Sequence, residues 1–234
     1  IQLDMLSPAA HLMSPQKFGT LLSGHGMLMV FVVLLPLFPG VFGHLLFPAS
    51  VGPPNKAMRN SSLAGWLCHL VGGSLVTVAL LLGVYDNGWA MMVPVTGGTA
   101  AMIALVTGLG LSALAALLPC IVIVRTAFAK KYRTTPFRQF PLFSWFFLFG
   151  ALVHILITPI RLLTLILMIG GRLFGWSTLA LTQPDGIWRY QQLFWMYVGP
   201  ATFGLVLFAV GLVFELLAAR TSESLRARTL LVSS

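Results

Sequence analysis

Apolar residues fall in five long, nearly unbroken runs, at roughly 19–47, 62–84, 98–125, 140–170 and 190–219, with charged residues, prolines and glycines gathered between them. Crossing the hydrocarbon core of a bilayer takes about 20 apolar residues in a helix. None of the runs shows the two-residue alternation of a barrel strand. The pattern predicts an all-α integral membrane protein with five transmembrane helices in residues 19–219. An amphiphilic segment, 1–18, containing Asp4, Pro8, His11 and Pro15, lies on the outer surface ahead of them, and a basic tail, 220–234, follows.

Composition agrees: of 234 residues, 58% are hydrophobic and 8% charged, with a mean hydropathy of +0.93. That balance excludes a soluble domain. The net charge of +9 changes the picture only through its placement. With the N-terminus outside, the inner loops and tail hold Lys56, Arg59, Arg125, Lys130, Lys131, Arg133, Arg138, Arg220, Arg226 and Arg228. The outer side and its adjoining helix hold Lys17, Arg161, Arg172 and Arg189. This asymmetry predicts a first helix running from outside to inside and a cytoplasmic C-terminus. The basic face then meets anionic lipid headgroups rather than nucleic acid. Cys68 and Cys120 both lie in apolar runs and fit neither a disulfide framework nor a CxxC site. The first residue is Ile1 and no signal peptide precedes the first helix. The expectation is that an upstream segment has been removed, or that numbering starts at the first ordered residue.

The densest chemistry lies in Trp188–Phe203, WRYQQLFWMYVGPATF. Its Tyr190-Gln191-Gln192-Leu193-Phe194-Trp195 resembles the YQHLFW that opens the sixth helix of subunit I of haem-copper terminal oxidases, the cytochrome c oxidase family. There the following FFGHPEVY supplies a copper-ligating His, a proton-passing Glu and a Tyr cross-linked to the His. The corresponding positions here are Gly199, Ala201 and Phe203, around a retained Pro200. The resemblance implies a kept scaffold without that chemistry, and no copper is expected.

Three further matches follow in the family's order. Ser23-Gly24-His25-Gly26-Met27-Leu28-Met29-Val30-Phe31 resembles the MHGxxMxF of the second helix, whose end, GGFGNxxVP, corresponds to Gly40–Pro48. The family's His there is an axial ligand of the low-spin haem, so the resemblance makes His25 the candidate haem ligand. Imidazole suits haem iron, and a flanking glycine clears the approach. The alternative is a histidine hydrogen-bonded at the outer interface. Val51–Ser62 resembles the loop GAPDMAFPRxNN, shortened by one residue. The Asp that opens a proton channel in pumping members reads Asn55, and the Asn pair reads Asn60-Ser61 or Ser61-Ser62. An amide does not exchange protons as a carboxylate does. Phe140-Pro141-Leu142-Phe143-Ser144-Trp145 resembles MPLFVW at the start of the fifth helix, and Gly88-Trp89 in the second outer loop is similar to the family's GTGW.

Other polar residues within the runs are functional suspects. His69 lies about 6 Å inside the midplane and His25 about 13 Å outside it, so the two do not share one iron. For His69 a buried imidazole bonded to a carbonyl is expected. His154 sits near the centre of the fourth run. Arg161, next to Pro159, falls at nearly the depth of His25 and is the candidate partner of a haem propionate, against a snorkelling or carbonyl-bonded arginine. Gly108-Leu109-Gly110-Leu111-Ser112 in the third run is a small-residue stripe for close helix approach. Residues 171–187 read as an outer loop ending in the turn-like Gln183-Pro184-Asp185-Gly186, and Glu215 as the one helical carboxylate.

The resemblance covers about residues 18–205 and matches helices two to six of the family. It implies a degenerate or split subunit-I-like chain of a respiratory oxidase complex, non-catalytic alone. Such a chain would be structural, or would hold one haem through His25 with a second ligand from a partner chain. The alternative is a haem-free membrane anchor that docks an electron carrier or another complex. The absence of an inverted repeat and of broken polar helices counts against a transporter. The membrane expected is the bacterial cytoplasmic or the inner mitochondrial one.

Overall fold

The computed structural model describes residues 13–52, 56–82, 98–129, 131, 134–179 and 183–220. Five helices long and apolar enough to span a bilayer carry nearly all of them. We number these α1–α5. α1 is continuous from Pro15 to Val51 in five stretches; α2 is Lys56–Leu81, α3 Thr99–Phe128, α4 Leu142–Phe174 and α5 Pro184–Arg220. Most of the surface segment expected at 1–18, the loop at 86–89 and the tail after residue 220 lie outside the described residues.

Two helix starts come earlier than hydropathy implies. α1 begins at Pro15, where Ser14 caps the first turn by accepting from the Lys17 N–H. α5 begins at Pro184, with Asp185 in its first turn. Proline at the first helical position loses no hydrogen bond, and an acid there complements the helix dipole. The run read as a turn is therefore a helix start, and Glu215 shares helical residence with Asp185. α4 extends to Phe174 and ends on Gly175, whose φ of 68° is the left-handed C-cap conformation open to glycine.

α1 is interrupted twice by π-helical turns, Leu28–Leu34 and Phe38–Gly43, on either side of Pro36. The Leu35 N–H bonds to the Val30 carbonyl, five residues back. The Phe31 carbonyl thereby loses the Leu35 N–H, and Pro36, five residues on, has no N–H to offer. The Ser112 hydroxyl of α3 donates to this carbonyl. A buried carbonyl left unpaired costs about 1–3 kcal/mol, so this bond fixes α1 against α3.

Lipid is as apolar as leucine, so close packing rather than burial holds these helices together. α2 and α3 meet backbone to backbone. A Cβ added at Gly108 would lie 2.7 Å from the Gly72 carbonyl oxygen, and one at Gly72 would lie 2.8 Å from that of Gly108. The small-residue stripe thus has its expected use. The interior divides into two clusters. One, at the end where α1 begins, gathers Met27, Phe31, Leu105, Leu109, Tyr190, Phe194 and Tyr197. The other, at the opposite, basic end, is dominated by Phe47, Phe140, Phe143, Phe147 and Phe208. The basic loop is tied back there: the Thr134 and Thr135 N–H groups donate to the Val51 carbonyl at 3.0 and 3.2 Å. The Ser50 and Ser144 hydroxyls lie 2.6 Å apart.

Candidate functional site

His25 lies on the outward stripe of α1 with Leu21, Leu22, Met29 and Val33, all exposed. Met27 and Phe31, on the opposite stripe, are buried. Gly24 sets the helix against α2, where a Cβ would come 3.1 Å from Leu80. Gly26 adds no side chain beside the imidazole. An axial ligand needs a ring nitrogen that a macrocycle can approach. His25 fits that need only from outside the five-helix bundle.

Arg161 is placed differently. It is 6% exposed, on the inward face of α4. Nη1 donates to the Tyr197 hydroxyl (3.1 Å) and Nη2 to the Leu109 carbonyl (3.0 Å). Its guanidinium carbon lies 4.8 Å from the centre of the Phe31 ring and 5.4 Å from that of Tyr197. The aromatic faces and the two acceptors offset the cost of burying the charge. A cavity of about 30 Å³ beside it is lined by Tyr190, Phe194 and Thr164 among others, room for a water or two at roughly 10–15 Å³ each. Arg161 and His25, which sequence depth placed level, face an enclosed interior and an open surface and are not brought together. Tyr197 was not singled out in the sequence, although Tyr190, Phe194, Tyr197 and Ala201 form a buried three-four stripe that marks the inward face of α5.

Three more histidines differ in what they meet. In α4, His154 Nδ1–H donates to the Gly150 carbonyl (3.0 Å). Its Nε2 is buried without a hydrogen-bond partner, the ring packed on Phe208 and against Gly204. In α1, His44 Nδ1–H donates to the Gly40 carbonyl (3.1 Å), and the half-buried ring also lies against the backbone of Pro39 and of Met58 in α2. His69 of α2 is half-buried, and its Nδ1 is buried with no hydrogen-bond partner among the described residues. His44 and His69 line one cavity of about 140 Å³ between α1, α2 and α3. Nothing in the sequence joined these two, because neither spacing nor motif links residues 25 apart on antiparallel helices.

Cys120 is buried and Cys68 half-buried, both free. Among the described residues no three His, Cys, Asp or Glu side chains cluster as a metal site. On α5, Gly199 is half-buried, Ala201 is in the core and Phe203 is 73% exposed. None of the three has a side-chain donor atom for a metal.

Residues 1–234 match the family described as cytochrome C and quinol oxidase polypeptide I. Cytochrome c oxidase subunit 1 of Thermostichus vulcanus is 27% identical over 217 residues, covering 92% of this chain and 39% of that protein. The subunit 1 proteins of Cereibacter sphaeroides and Yarrowia lipolytica are each 27% identical, over 91% and 89% of this chain and 38% and 40% of their own lengths. The chain spans about two-fifths of the curated relatives it matches.

Proposed function

From the premise that the chain belongs to the cytochrome c and quinol oxidase polypeptide I family, we propose that it is a non-catalytic, subunit-I-like part of a respiratory oxidase complex that offers one haem ligand, His25. It is an integral membrane protein of the bacterial or mitochondrial inner membrane. The observation that carries the reading is the outward imidazole of His25, flanked by Gly26 on a face with no interior partner. A haem bound there supplies one-electron transfer through its iron. This chain's part is to hold the imidazole on a helix braced by the Gly24–Leu80 contact, while a second ligand comes from elsewhere in the assembly. No copper ligand comes from Gly199, Ala201 or Phe203 in this reading. Arg161 is left out of the haem site, since reaching a propionate would break its bonds to Tyr197 and Leu109. The basic ends of α1, α2, α3 and α5 face the cytoplasm, or the mitochondrial matrix, by the positive-inside rule.

The test is a reduced-minus-oxidised haem spectrum of the complex isolated through a tag on this chain, wild type against His25→Ala at equal protein. The expected result is loss of one low-spin haem signal. An unchanged spectrum in an intact complex would leave the second reading, a haem-free anchor, for which the exposed apolar faces of α2 and α5 supply the docking surface.

A further inference from the structure

We infer that the corner of the basic end where α3 runs into α4 is a binding site for one anionic phospholipid. Arg125, Lys131 and Arg138 hold its headgroup, and an acyl chain lies along the outward stripe of α4. The positive charge of the basic end attracts anionic headgroups wherever it is exposed, and two features single out this corner. Charge is the first. Arg125, Lys130, Lys131, Arg133 and Arg138 fall within fourteen residues, and no Asp or Glu occurs between Asp86 and Asp185. No carboxylate of α3, α4 or the loop that joins them can therefore neutralise these cations. Arg125, Lys131 and Arg138 are all exposed.

The second feature is an aromatic ribbon leading from the headgroup level into the apolar depth of the bilayer. On α3, Ile121, Arg125 and Phe128 recur at helical spacing and are all exposed, so they share one outward stripe. Phe137, in the short turn Phe137–Gln139, lies 5.5 Å from Phe128 and meets Trp145 of α4 edge-on at 4.7 Å. Trp145 stacks at 5.8 Å on Phe149, one turn deeper. Phe149, Leu152 and Leu156, all exposed, continue the stripe along α4. Trp145 to Leu156 covers roughly 16 Å of helix, about half of the roughly 30 Å hydrocarbon core and thus the depth of one leaflet.

The turn that presents Arg138 is already fixed. The Thr134 and Thr135 N–H groups are bonded to α1, and the Thr135 hydroxyl donates to the Ser50 carbonyl at 3.2 Å. Beyond them the Phe137 ring packs on Phe140 at 5.0 Å. A lipid arriving there has little chain left to order. A free phosphate would meet the cations and leave the ribbon bare, whereas a zwitterionic phospholipid would cover the ribbon and leave the cations without a counter-charge. An anionic phospholipid satisfies both. Lys56, Arg59 and Arg220, the other cations described at the basic end, have no aromatic residue within four positions on either side. The inference is independent of any haem at His25.

The experiment is native mass spectrometry of the complex isolated through a tag on this chain, stripped of lipid in detergent and titrated with phosphatidylglycerol or phosphatidylcholine. The expected result is one phosphatidylglycerol bound at least about tenfold more tightly than any phosphatidylcholine. Lys131→Ala combined with Arg138→Ala should weaken that lipid about fivefold per cation, or about 25-fold together. Phe149→Ala leaves every charge in place and should weaken it at least about threefold. Lys56→Ala combined with Arg59→Ala is the control pair and should change it by less than about twofold. All the substituted side chains are exposed, so the fold is kept. Equal losses in the two charge pairs would show a diffuse basic surface and overturn the inference. So would equal affinity for the two lipids, or undiminished binding in Phe149→Ala. Displacement of the bound lipid by inorganic phosphate would overturn it as well, because the site would then be one for a soluble anion.

Discussion

Arg161 and the His44–His69 pair are both polar groups inside a membrane bundle, and they are treated in opposite ways. Each terminal nitrogen of Arg161 has a bonded acceptor, and two aromatic faces close over the charge. Its cavity of about 30 Å³ has room for a water or two. The two histidines line a space more than four times that size. A polar group that is fully spoken for holds structure together, and one that lines an open space is less constrained. Residue type alone would have ranked the arginine as the more functional.

The largest expected effect breaks the closed side of the contrast. Arg161→Ala removes the donor bonds to the Leu109 carbonyl and the Tyr197 hydroxyl together with the cation–π contacts. It should cost about 3–5 kcal/mol in unfolding from mixed detergent micelles. Arg161→Lys keeps the charge but not the two-pronged reach and should fall roughly halfway. Gly108→Leu comes next, since its Cβ would collide with backbone of α2 rather than with a flexible side chain. A loss of about 2–3 kcal/mol is expected in the same assay, with α2 and α3 separating first to proteolysis.

Ser112→Ala should cost about 1 kcal/mol, because it removes the hydroxyl's bond to the Phe31 carbonyl. Pro36→Ala offers that carbonyl an N–H five residues on, so a double-mutant cycle should show the serine's contribution shrinking. The smallest effect sharpens the open side. His44→Gln keeps an amide N–H that can donate to the Gly40 carbonyl in place of Nδ1–H and should change stability by less than about 0.5 kcal/mol, measured in the same unfolding series. A large loss there would mean that His44 is a structural group like Arg161.

The sequence made the five helices, the basic end and the α2–α3 close approach legible, because each rests on transfer energy or residue size summed over many positions. Helix ends at Pro15 and Pro184 were missed because they lie in polar sequence, where capping rather than hydropathy decides. The depth arithmetic set Arg161 level with His25 but carried no information on azimuth, and azimuth separates an interior from a surface. The same blindness hid His69 from His44. Ser112 read as one more small residue in a stripe; its hydroxyl acquires a role only once the π turns of α1 have displaced the Leu35 N–H.

Those π turns have a consequence for how α1 is geared. A π turn advances by a smaller angle per residue than an α turn, so two such turns in series set the rotational phase of the segment that follows them. The direction in which His44 points is thus decoupled from that of His25 along one unbroken rod. Excising a single residue from Leu28–Leu34 would let the helix relax toward α geometry and swing one imidazole around the axis while the other kept its bearing. The helix is a shaft with an adjustable coupling, and its two ends can be aimed at separate tasks.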